Sequence, residues 1–321
     1  MSNASAPMTA QTSQTQKHID DIVEGLSLPQ KVLSPKYFYD ERGSELFEAI
    51  TLQPEYYPTR TELGILKQNI NAIGDALGHD VSLIEFGAGA SVKVRVLLDN
   101  LADIAVFVPV DISGDHLQLA ADELAADYPD IEVLPVAADF TRPFPLPSPV
   151  NMPARNIVFF PGSTIGNFPP DAALGLLQTM RAVAKDNGGL LIGVDLKKDH
   201  SVLERAYNDE AGVTAQFNRN MLVHLNREYG SDFDPEAFDH RAVYNAAASR
   251  IEMHLISTCP QRVTIGGHVF AFAEGEYILT ECSYKYALEG FAALAKQAGF
   301  DVQQVWTDSE QHFSLQYAVA I

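Results

Sequence analysis

The most informative stretch of the sequence is Val81-Ser82-Leu83-Ile84-Glu85-Phe86-Gly87-Ala88-Gly89-Ala90-Ser91. Its first six residues form a short, largely apolar run, which is typical of a strand buried on both faces of a sheet. Gly87 and Gly89 follow at once, and a helix is predicted from Ser91 to Leu101. Glycines at such a turn let the backbone approach a ligand, while the helix N-terminus offers free N–H groups. The third glycine of the dinucleotide-binding fingerprint is replaced by Val92, which disfavours an NAD site.

Strands alternate with helices around this stretch. The predicted strands are Val81–Phe86, Ala105–Val110, Ile131–Val136, Asn156–Phe160 and Gly189–Leu196. The helices predicted beside them are Thr61–Leu77, Ser91–Leu101, Ser113–Tyr128 and Pro170–Lys185. This alternation predicts a parallel sheet covered on both faces, which is a doubly wound α/β domain. A last helix over 286–298 precedes two strands, 301–307 and 312–320, and an open sheet closed by such a hairpin is typical of class I (Rossmann-like) methyltransferases.

The alternation breaks between residues 197 and 284. Two helices are predicted within 199–229, followed by strand-like runs at 250–258, 262–272 and 276–284. The pair Gly266-Gly267 inside the second run is a hairpin signal. We therefore expect a second, α+β domain for substrate binding. The expected division is a methyltransferase domain over 60–196 and 285–321, a substrate-binding domain over 18–59 and 197–284, and a flexible tail over 1–17.

Composition excludes several classes of protein. The chain has 321 residues, 22 basic and 42 acidic side chains, a formal charge of −20 and 46% hydrophobic residues. The apolar content is sufficient for a packed core, and the negative charge argues against binding to nucleic acid or to anionic membranes. The two cysteines, Cys259 and Cys282, form no CxxC or metal-type spacing, and the nine histidines show no paired metal spacing. We expect a cytoplasmic monomer with no metal, no secretory signal and no membrane span.

Polar and aromatic residues follow three consecutive strands. Asp111 ends the strand after Gly87, where a carboxylate can accept hydrogen bonds from both ribose hydroxyls. The pair Asp139-Phe140 follows the next strand and can bond and stack on an adenine ring. The simpler alternatives are a helix cap at Asp111 and a polar loop at Asp139. Together, the three strand ends in this order favour S-adenosylmethionine (SAM).

The run Phe160-Pro161-Gly162-Ser163-Thr164-Ile165-Gly166-Asn167-Phe168 follows the fourth strand. Ligands in open α/β sheets bind beyond the carboxyl ends of the strands, so this loop should face the reacting group. Asn167 offers both a donor and an acceptor for an amine substrate. The alternative is a glycine-rich turn in which Asn167 caps the next helix.

Four segments resemble one known family. They are Tyr37-Phe38-Tyr39-Asp40-Glu41-Arg42-Gly43-Ser44, Pro54-Glu55-Tyr56-Tyr57-Pro58-Thr59-Arg60, Phe160-Pro161-Gly162-Ser163-Thr164-Ile165-Gly166-Asn167 and Thr280-Glu281-Cys282-Ser283. The chain from about residue 20 to its C-terminus resembles the L-histidine Nα-methyltransferases of ergothioneine biosynthesis (the EgtD family). The resemblance implies trimethylation of histidine to hercynine, with three SAM molecules converted to S-adenosylhomocysteine.

The resemblance also implies roles for individual residues. The residues expected to hold SAM are Gly87, Lys93, Asp111, Asp139 and Phe140, with Tyr39 near the sulfonium. The residues expected to contact the substrate are Asn167 at the amine, Tyr207 at the carboxylate, Glu281 and Ser283 at the imidazole, Tyr57 assisting them and Met253 packing nearby. Tyr39 and Asn167 are the expected catalytic residues. Either Tyr56 or Tyr57 fits the aromatic position, and we select Tyr57.

The spacing of Glu281 and Ser283 supports imidazole recognition on chemical grounds. Residues two apart on a strand lie on the same face. A carboxylate can accept from one ring N–H while a hydroxyl bonds the other nitrogen. A solvent-facing polar stripe is the alternative for this pair. At the level of function, the alternatives are a methyltransferase for another amino acid or an aromatic amine such as a tryptophan derivative, and a Rossmann-like binding protein without transfer activity.

Overall fold

The computed structural model describes residues 6–89 and 92–321, with the side chains of 6–14, 115 and 116 left aside. The chain forms two compact units. The large-sheet unit comprises Pro58–Lys198 and Tyr284–Ile321, and the small-sheet unit comprises Met1–Tyr57 and Asp199–Ser283. The domain boundaries expected from the sequence, at 60, 197 and 285, differ from these by no more than two residues. The role of the small-sheet unit in substrate binding stays a prediction.

The described residues form helices α1 to α10 and strands β1 to β13. The helices are Ala6–Ser27, Glu41–Thr51, Tyr57–Gln68, Ile70–Leu77, Val92–Leu98, Gly114–Asp127, Pro170–Ala184, His200–Ala206, Val213–Tyr229 and Leu288–Gln297. The strands are Val81–Phe86, Ile104–Asp111, Glu132–Val133, Val136–Ala137, Arg155–Phe160, Gly189–Asp195, Phe238–Asn245, Arg250–Ser257, Gln261–Ile265, His268–Phe272, Tyr277–Tyr284, Phe300–Thr307 and Phe313–Ala320.

The large sheet has the strand order β12-β13-β6-β5-β1-β2-β3, with β4 also paired to β2. Strands β1 to β6 pair in parallel, whereas β13 runs antiparallel to β6 and β12 antiparallel to β13. The predicted doubly wound sheet, closed by a hairpin after the last helix, is confirmed. Its parallel strands all direct their carboxyl ends to one edge, and Gly87, Asp111 and Asn167 lie at or just after the ends of β1, β2 and β5.

Apolar side chains cover both faces of this sheet. Successive strand residues point to opposite faces. Ile84 of β1 belongs to a buried cluster with Leu177 of α7 and Phe291 of α10. Its neighbour Leu83 belongs to the opposite cluster, with Leu66 of α3. This two-sided burial explains why the central strands read as apolar runs in the sequence.

The small-sheet unit contains a three-stranded sheet, β11-β8-β7, and a two-stranded hairpin, β9-β10. The hairpin turns at Gly266 and Gly267, whose φ angles are 56° and 78°, so the turn predicted there is confirmed. Helix α9 packs on the three-stranded sheet through buried side chains such as Phe217 and Leu225, which join Leu255 of β8 in one core.

Several elements differ from the sequence-based expectations. The single helix expected over 61–77 is divided into α3 and α4 at Asn69, whose side chain donates to the carbonyl of Ile65 at 2.8 Å. The third strand is split into β3 and β4. Residues 6–17, expected in a flexible tail, belong to α1, where alanine, methionine and glutamine are good helix formers. The remainder of that tail, residues 1–5, lies outside the described residues.

The helices of the described chain would need about 20 consecutive, mostly apolar residues to cross a bilayer. None of them is both long enough and apolar enough to cross a bilayer.

Candidate active site

The glycine turn after β1 is built by backbone contacts. Gly87 has a φ of 73°, a left-handed conformation that favours glycine, and its N–H donates to the carbonyl of Val110 at 2.8 Å. A Cβ atom at Gly87 would lie 3.6 Å from the ring of Phe140. The structure therefore brings two predicted cofactor residues, Gly87 and Phe140, together at the carboxyl edge of the sheet. The last two residues of the motif, Ala90 and Ser91, lie outside the described residues.

Asp111 and Asp139 both follow strands of the same edge. Asp111 ends β2, and its Oδ1 accepts from the N–H of Ser113 at 2.9 Å. Asp139 follows β4, and its Oδ1 accepts from the N–H and the hydroxyl of Thr141 at 3.1 and 2.5 Å. One carboxylate oxygen of each residue thus supports a local turn. The turn interpretation and the cofactor interpretation are compatible, since each carboxylate has a second oxygen.

Lys93 is held by a buried carboxylate that the sequence analysis missed. The ammonium of Lys93 lies 2.5 Å from Oε2 of Glu62, which is fully buried near the start of α3. The N–H of Gly162 donates to both Glu62 oxygens, at 3.0 and 2.9 Å. A Cβ at Gly193 of β6 would lie 2.0 Å from Oε1 of Glu62, so the glycine there makes room for the carboxylate. Glu62 therefore connects three segments that are far apart in the sequence.

Glu85 lies two residues before Gly87 and is also buried, with 4% of its surface exposed. Its Oε2 has no hydrogen-bond partner within the described part of the chain. Burial raises the pKa of Glu85 to about 8; Lys93 opposes this shift, while Glu62 and Asp111 add to it. The raised pKa favours the neutral form of Glu85 at the carboxyl edge of the sheet.

The turn after β5 places Asn167 at the same edge. Gly162 and Ser163 have left-handed φ angles of 81° and 55°, and Thr164–Asn167 form one turn of 3-10 helix. The hydroxyl oxygen of Ser163 accepts from the N–H of Asp195 at 2.8 Å, which ties the turn to the end of β6. The side chain of Asn167 is half-buried at the end of this turn.

The predicted imidazole pair lies in the small-sheet unit. Glu281 and Ser283 are on β11, two residues apart and hence on one face of the strand. The hydroxyl of Tyr207, which follows α8, donates to Oγ of Ser283 at 3.0 Å. Tyr207 and Ser283 are both buried, while Glu281 is half-buried. The structure thus brings together three residues that the sequence analysis assigned to the substrate.

Tyr39 lies close to Glu281 and Tyr207 in the small-sheet unit. Its ring contacts Phe47 and Phe217, each with a centroid separation of 5.9 Å, and half of the residue is exposed. Desolvation of the hydroxyl raises the pKa of Tyr39, and the charges of Glu281 and Tyr207 raise it further. Tyr39 therefore offers a neutral hydroxyl beside the imidazole pair.

The neighbour of Tyr39, Asp40, explains how this loop is held. Its carboxylate accepts from the N–H of Gly43 at 2.7 Å, capping α2, and from the side chain of Asn220 at 2.7 Å. The guanidinium of Arg227 lies 2.9 Å from its other oxygen. Although burial works against the charge, these hydrogen bonds hold the pKa of Asp40 below its usual value. The loop is thereby fixed to α9.

The two candidate tyrosines of the Pro54–Arg60 segment occupy different surroundings. The ring of Tyr56 lies 6.2 Å from that of Tyr207 and 6.4 Å from that of Phe47, and it is half-buried. Tyr57, selected from the sequence, is 5% exposed in the core of the small-sheet unit. Met253 is also a buried member of this core. The choice between the tyrosines stays a prediction, and the ring contact with Tyr207 favours Tyr56.

Within residues 6–89 and 92–321, no group of three or more His, Cys, Asp or Glu side chains is arranged to hold a metal ion.

The sheet order, the glycine turn and the acidic strand ends define a class I SAM-dependent methyltransferase. Residues 18–320 match the family described as "Histidine-specific methyltransferase, SAM-dependent". The chain therefore belongs to this family of SAM-dependent, histidine-specific methyltransferases.

Named relatives were found in bacteria and fungi. The chain is 42% identical to a histidine N-alpha-methyltransferase of Mycolicibacterium smegmatis, over 93% of this chain and 94% of that protein. It is 40% identical to the histidine N-alpha-methyltransferase of Mycobacterium tuberculosis, over 93% of each chain. It is 28% identical to ergothioneine biosynthesis protein 1 of Neurospora crassa, over 85% of this chain and 32% of that longer protein.

Proposed function

We propose that this protein transfers three methyl groups in succession from SAM to the α-amine of L-histidine and so produces hercynine, the first step of ergothioneine biosynthesis. The choice of histidine as substrate rests on Glu281 and Ser283 of β11. Glu281 and Ser283 share one face of the strand, and Ser283 accepts a hydrogen bond from Tyr207 at 3.0 Å. A carboxylate and a hydroxyl on one face match the two nitrogens of an imidazole ring.

The residues at the carboxyl edge of the large sheet suit a cationic cofactor. The turn after β1 leaves space beside its backbone, since a Cβ at Gly89 would meet no described atom within 4 Å. The negative charge of Asp111 helps to raise the pKa of Glu85, and Glu85 has an oxygen without a partner among the described residues. Acidic groups at this place fit a sulfonium. We assign SAM binding to Gly87, Lys93, Asp111, Asp139 and Phe140, with Tyr39 near the sulfonium.

Lys93 is assigned an indirect part in this binding. Because its ammonium is paired with Glu62, it stabilises the turn at Gly162 as well as any anionic group of the cofactor. A lysine held at one place loses less side-chain entropy when it binds a carboxylate.

Substrate residues are assigned by the chemistry that each offers. Glu281 accepts from one imidazole N–H, and Ser283 bonds the other ring nitrogen. Tyr207, which donates to Ser283 in this structure, is assigned to the substrate carboxylate. Asn167 is assigned to the amine, Tyr56 or Tyr57 to the aromatic wall, and Met253 to the packing beneath it.

The reaction requires orientation more than acid–base catalysis. When SAM is bound, its sulfonium supplies an activated methyl group, and the amine must approach that carbon in line as a neutral nucleophile. The amide oxygen of Asn167 can accept from the amine N–H and so direct the lone pair. The first and second transfers each give a protonated amine, which must lose one proton to water before the next transfer. The third transfer gives a quaternary ammonium group, which carries no N–H proton. We propose that no metal is needed, because the sulfonium already activates its methyl group and the neutral thioether of S-adenosylhomocysteine is a good leaving group.

The formal charge of −20 supports a small-molecule substrate over nucleic acid or an anionic membrane surface. A monomeric state and a cytoplasmic location stay predictions from the sequence. Chromatography with light scattering tests the first, and fractionation of the source cells tests the second.

Mass spectrometry of reaction products tests the proposed function. The purified chain is incubated with SAM and L-histidine, and the mono-, di- and trimethylated products are followed over time, with EDTA added in a parallel reaction. We expect trimethylhistidine to accumulate in both reactions. Parallel reactions with L-tryptophan and with other amino acids test the alternative substrate, and preference for one of them over histidine would contradict the proposal. Binding of SAM without transfer to any amine would favour a non-catalytic binding protein.

A further inference from the structure

Glu85 is a buried acid at the edge where ligands bind, and the mechanism above gives it no catalytic step. It lies on β1 between Pro109 of β2 and Phe159 of β5, its neighbours in the sheet. Its Oε2 has no hydrogen-bond partner in the described part of the structure. A buried carboxylate with an oxygen that has no partner is unfavourable, so such a group either takes up a proton or is compensated by a nearby cation.

The charged groups around Glu85 do not supply that cation. They are Lys93 of α5, Glu62 of α3 and Asp111 of β2. The ammonium of Lys93 is paired with Glu62 at 2.5 Å, so its charge is already balanced. Asp111 adds a second negative group. An ionised Glu85 would therefore leave this edge of the sheet with an excess of negative charge, and the protonated form is favoured.

We propose that Glu85 is a neutral carboxylic acid in the cofactor-free protein and releases its proton to the solvent when the sulfonium cofactor binds. The inference rests on the proposed function, because it takes SAM as the ligand of this edge. Lys93, whose ammonium is already paired with Glu62, offsets the burial of Glu85 only in part. The positive charge of SAM adds to this effect and favours the carboxylate form of Glu85.

The proton balance has a consequence for turnover. Binding converts the Glu85 carboxyl to a carboxylate and delivers one proton to water. Methyl transfer then changes the sulfonium into a neutral thioether, and the charge that stabilised the carboxylate is lost. Glu85 takes a proton back from the solvent, so the pocket favours the charged cofactor over its neutral product. Glu85 thus promotes exchange of S-adenosylhomocysteine for SAM between the three transfers.

Titration calorimetry measures this proton directly. SAM is titrated into the protein at about pH 6.5, where carboxylic acids with a raised pKa remain protonated, in phosphate and in Tris, which differ in ionisation enthalpy. We expect release of about one proton per SAM bound and an affinity that rises by about tenfold per pH unit in this range. S-adenosylhomocysteine carries the same amine and carboxylate without the sulfonium, and we expect it to release far less than one proton.

Variants separate Glu85 from other titrating groups. Glu85→Gln keeps the shape of the neutral acid, and we expect it to abolish the difference between the two buffers and to weaken SAM binding by about tenfold or more. Glu123→Gln removes an exposed carboxylate of α6 and should behave as the unchanged protein. If Glu85→Gln does not fold, infrared difference spectra of the unchanged protein show whether SAM removes the C=O stretch of a protonated carboxylic acid.

The outcomes distinguish this inference from the proposed function. SAM binding without proton release, or an equal release by Glu85→Gln, would overturn the inference and leave the methyltransferase function intact. Failure of SAM to bind at all would contradict the proposed function itself.

Discussion

The two units hold their candidate ligand groups in different ways. At the carboxyl edge of the large sheet, the groups are held by the backbone and by one buried ion pair: Asp111 by the Ser113 N–H, and Lys93 by Glu62. On β11 of the small sheet, side chains are held by other side chains, as Ser283 is by Tyr207. The first arrangement follows from the sheet topology and suits a cofactor shared by many enzymes, whereas we propose that the second recognises one particular substrate.

This difference predicts where substitutions act. Changes at the large-sheet edge should impair SAM binding and protein stability for every amine substrate. Changes on β11 should alter the preference for histidine and leave SAM binding unchanged.

The largest effect is expected at Glu281. Glu281→Gln removes the charge and one acceptor while keeping the size, and we expect kcat/KM for histidine to fall by about 10²–10³-fold because an imidazole N–H loses its charged partner. The affinity for SAM should be unchanged. Steady-state kinetics and calorimetry measure both quantities.

The exposed Glu274 of the same unit provides the matched control for that experiment. Glu274→Gln should have normal kinetics. Unchanged histidine turnover in Glu281→Gln would show that the imidazole is recognised elsewhere.

The second effect concerns the ion pair between Glu62 and Lys93 in the large-sheet unit. Glu62→Gln leaves the ammonium of Lys93 without a charged partner, and breaking a buried pair typically costs about 3 kcal/mol. We expect the free energy of unfolding to fall by about this amount and SAM binding to weaken. Denaturant unfolding and calorimetry provide the measurements.

An exposed ion pair of α5, the helix that contains Lys93, serves as the comparison. The guanidinium of Arg95 lies 2.7 Å from Asp127, and both side chains are substantially exposed. Asp127→Asn should therefore cost less than about 1 kcal/mol. Equal losses in the two variants would mean that Glu62 has no special part in holding Lys93.

The third effect is a pH dependence of stability. Because the pKa of Glu85 rises from 4.5 to about 8 on folding, the folded protein holds one more proton than the unfolded chain between these values. The stabilisation that comes from this extra proton is complete below about pH 4.5 and is lost as the pH rises toward 8. The free energy of unfolding then falls by up to about 1.4 kcal/mol per pH unit. The unfolding free energy of the unchanged protein should therefore fall relative to that of Glu85→Gln as the pH rises from 5 to 8. A constant difference from pH 5 to pH 8 would contradict the assignment.

The smallest effect separates the two tyrosines. Tyr56 contacts the ring of Tyr207, whereas Tyr57 lies in the core. We expect Tyr56→Phe to raise KM for histidine by about two- to tenfold, as loss of one neutral hydrogen bond does. Tyr57→Phe should leave KM unchanged. A raised KM in Tyr57→Phe with an unchanged KM in Tyr56→Phe would instead support Tyr57, the residue selected from the sequence.

The fold was predictable because its signals are local. The apolar run over Val81–Phe86 and the Gly266-Gly267 turn each specify one conformation through patterning or backbone freedom. Strand β7, at Phe238–Asn245, was not predicted. Its residues Asp239, His240 and Arg241 interrupt the apolar pattern, and its pairing with β8 provides the stabilisation that the local sequence lacks.

The candidate site was predictable only where it coincides with the sheet edge or with one strand. Asp111 and the Glu281–Ser283 pair follow from such positions. Glu62 was missed because its contacts with Lys93 and Gly162 join residues that are distant in the sequence. The unpaired state of Glu85 likewise depends on what surrounds it in space, and no sequence pattern reports that.

A crystal structure with S-adenosylhomocysteine and L-histidine bound tests the central claim most directly. The account predicts one imidazole nitrogen within about 3 Å of the Glu281 carboxylate and the other within about 3 Å of the Ser283 hydroxyl. An imidazole ring bound away from β11, with neither residue in contact, would contradict it.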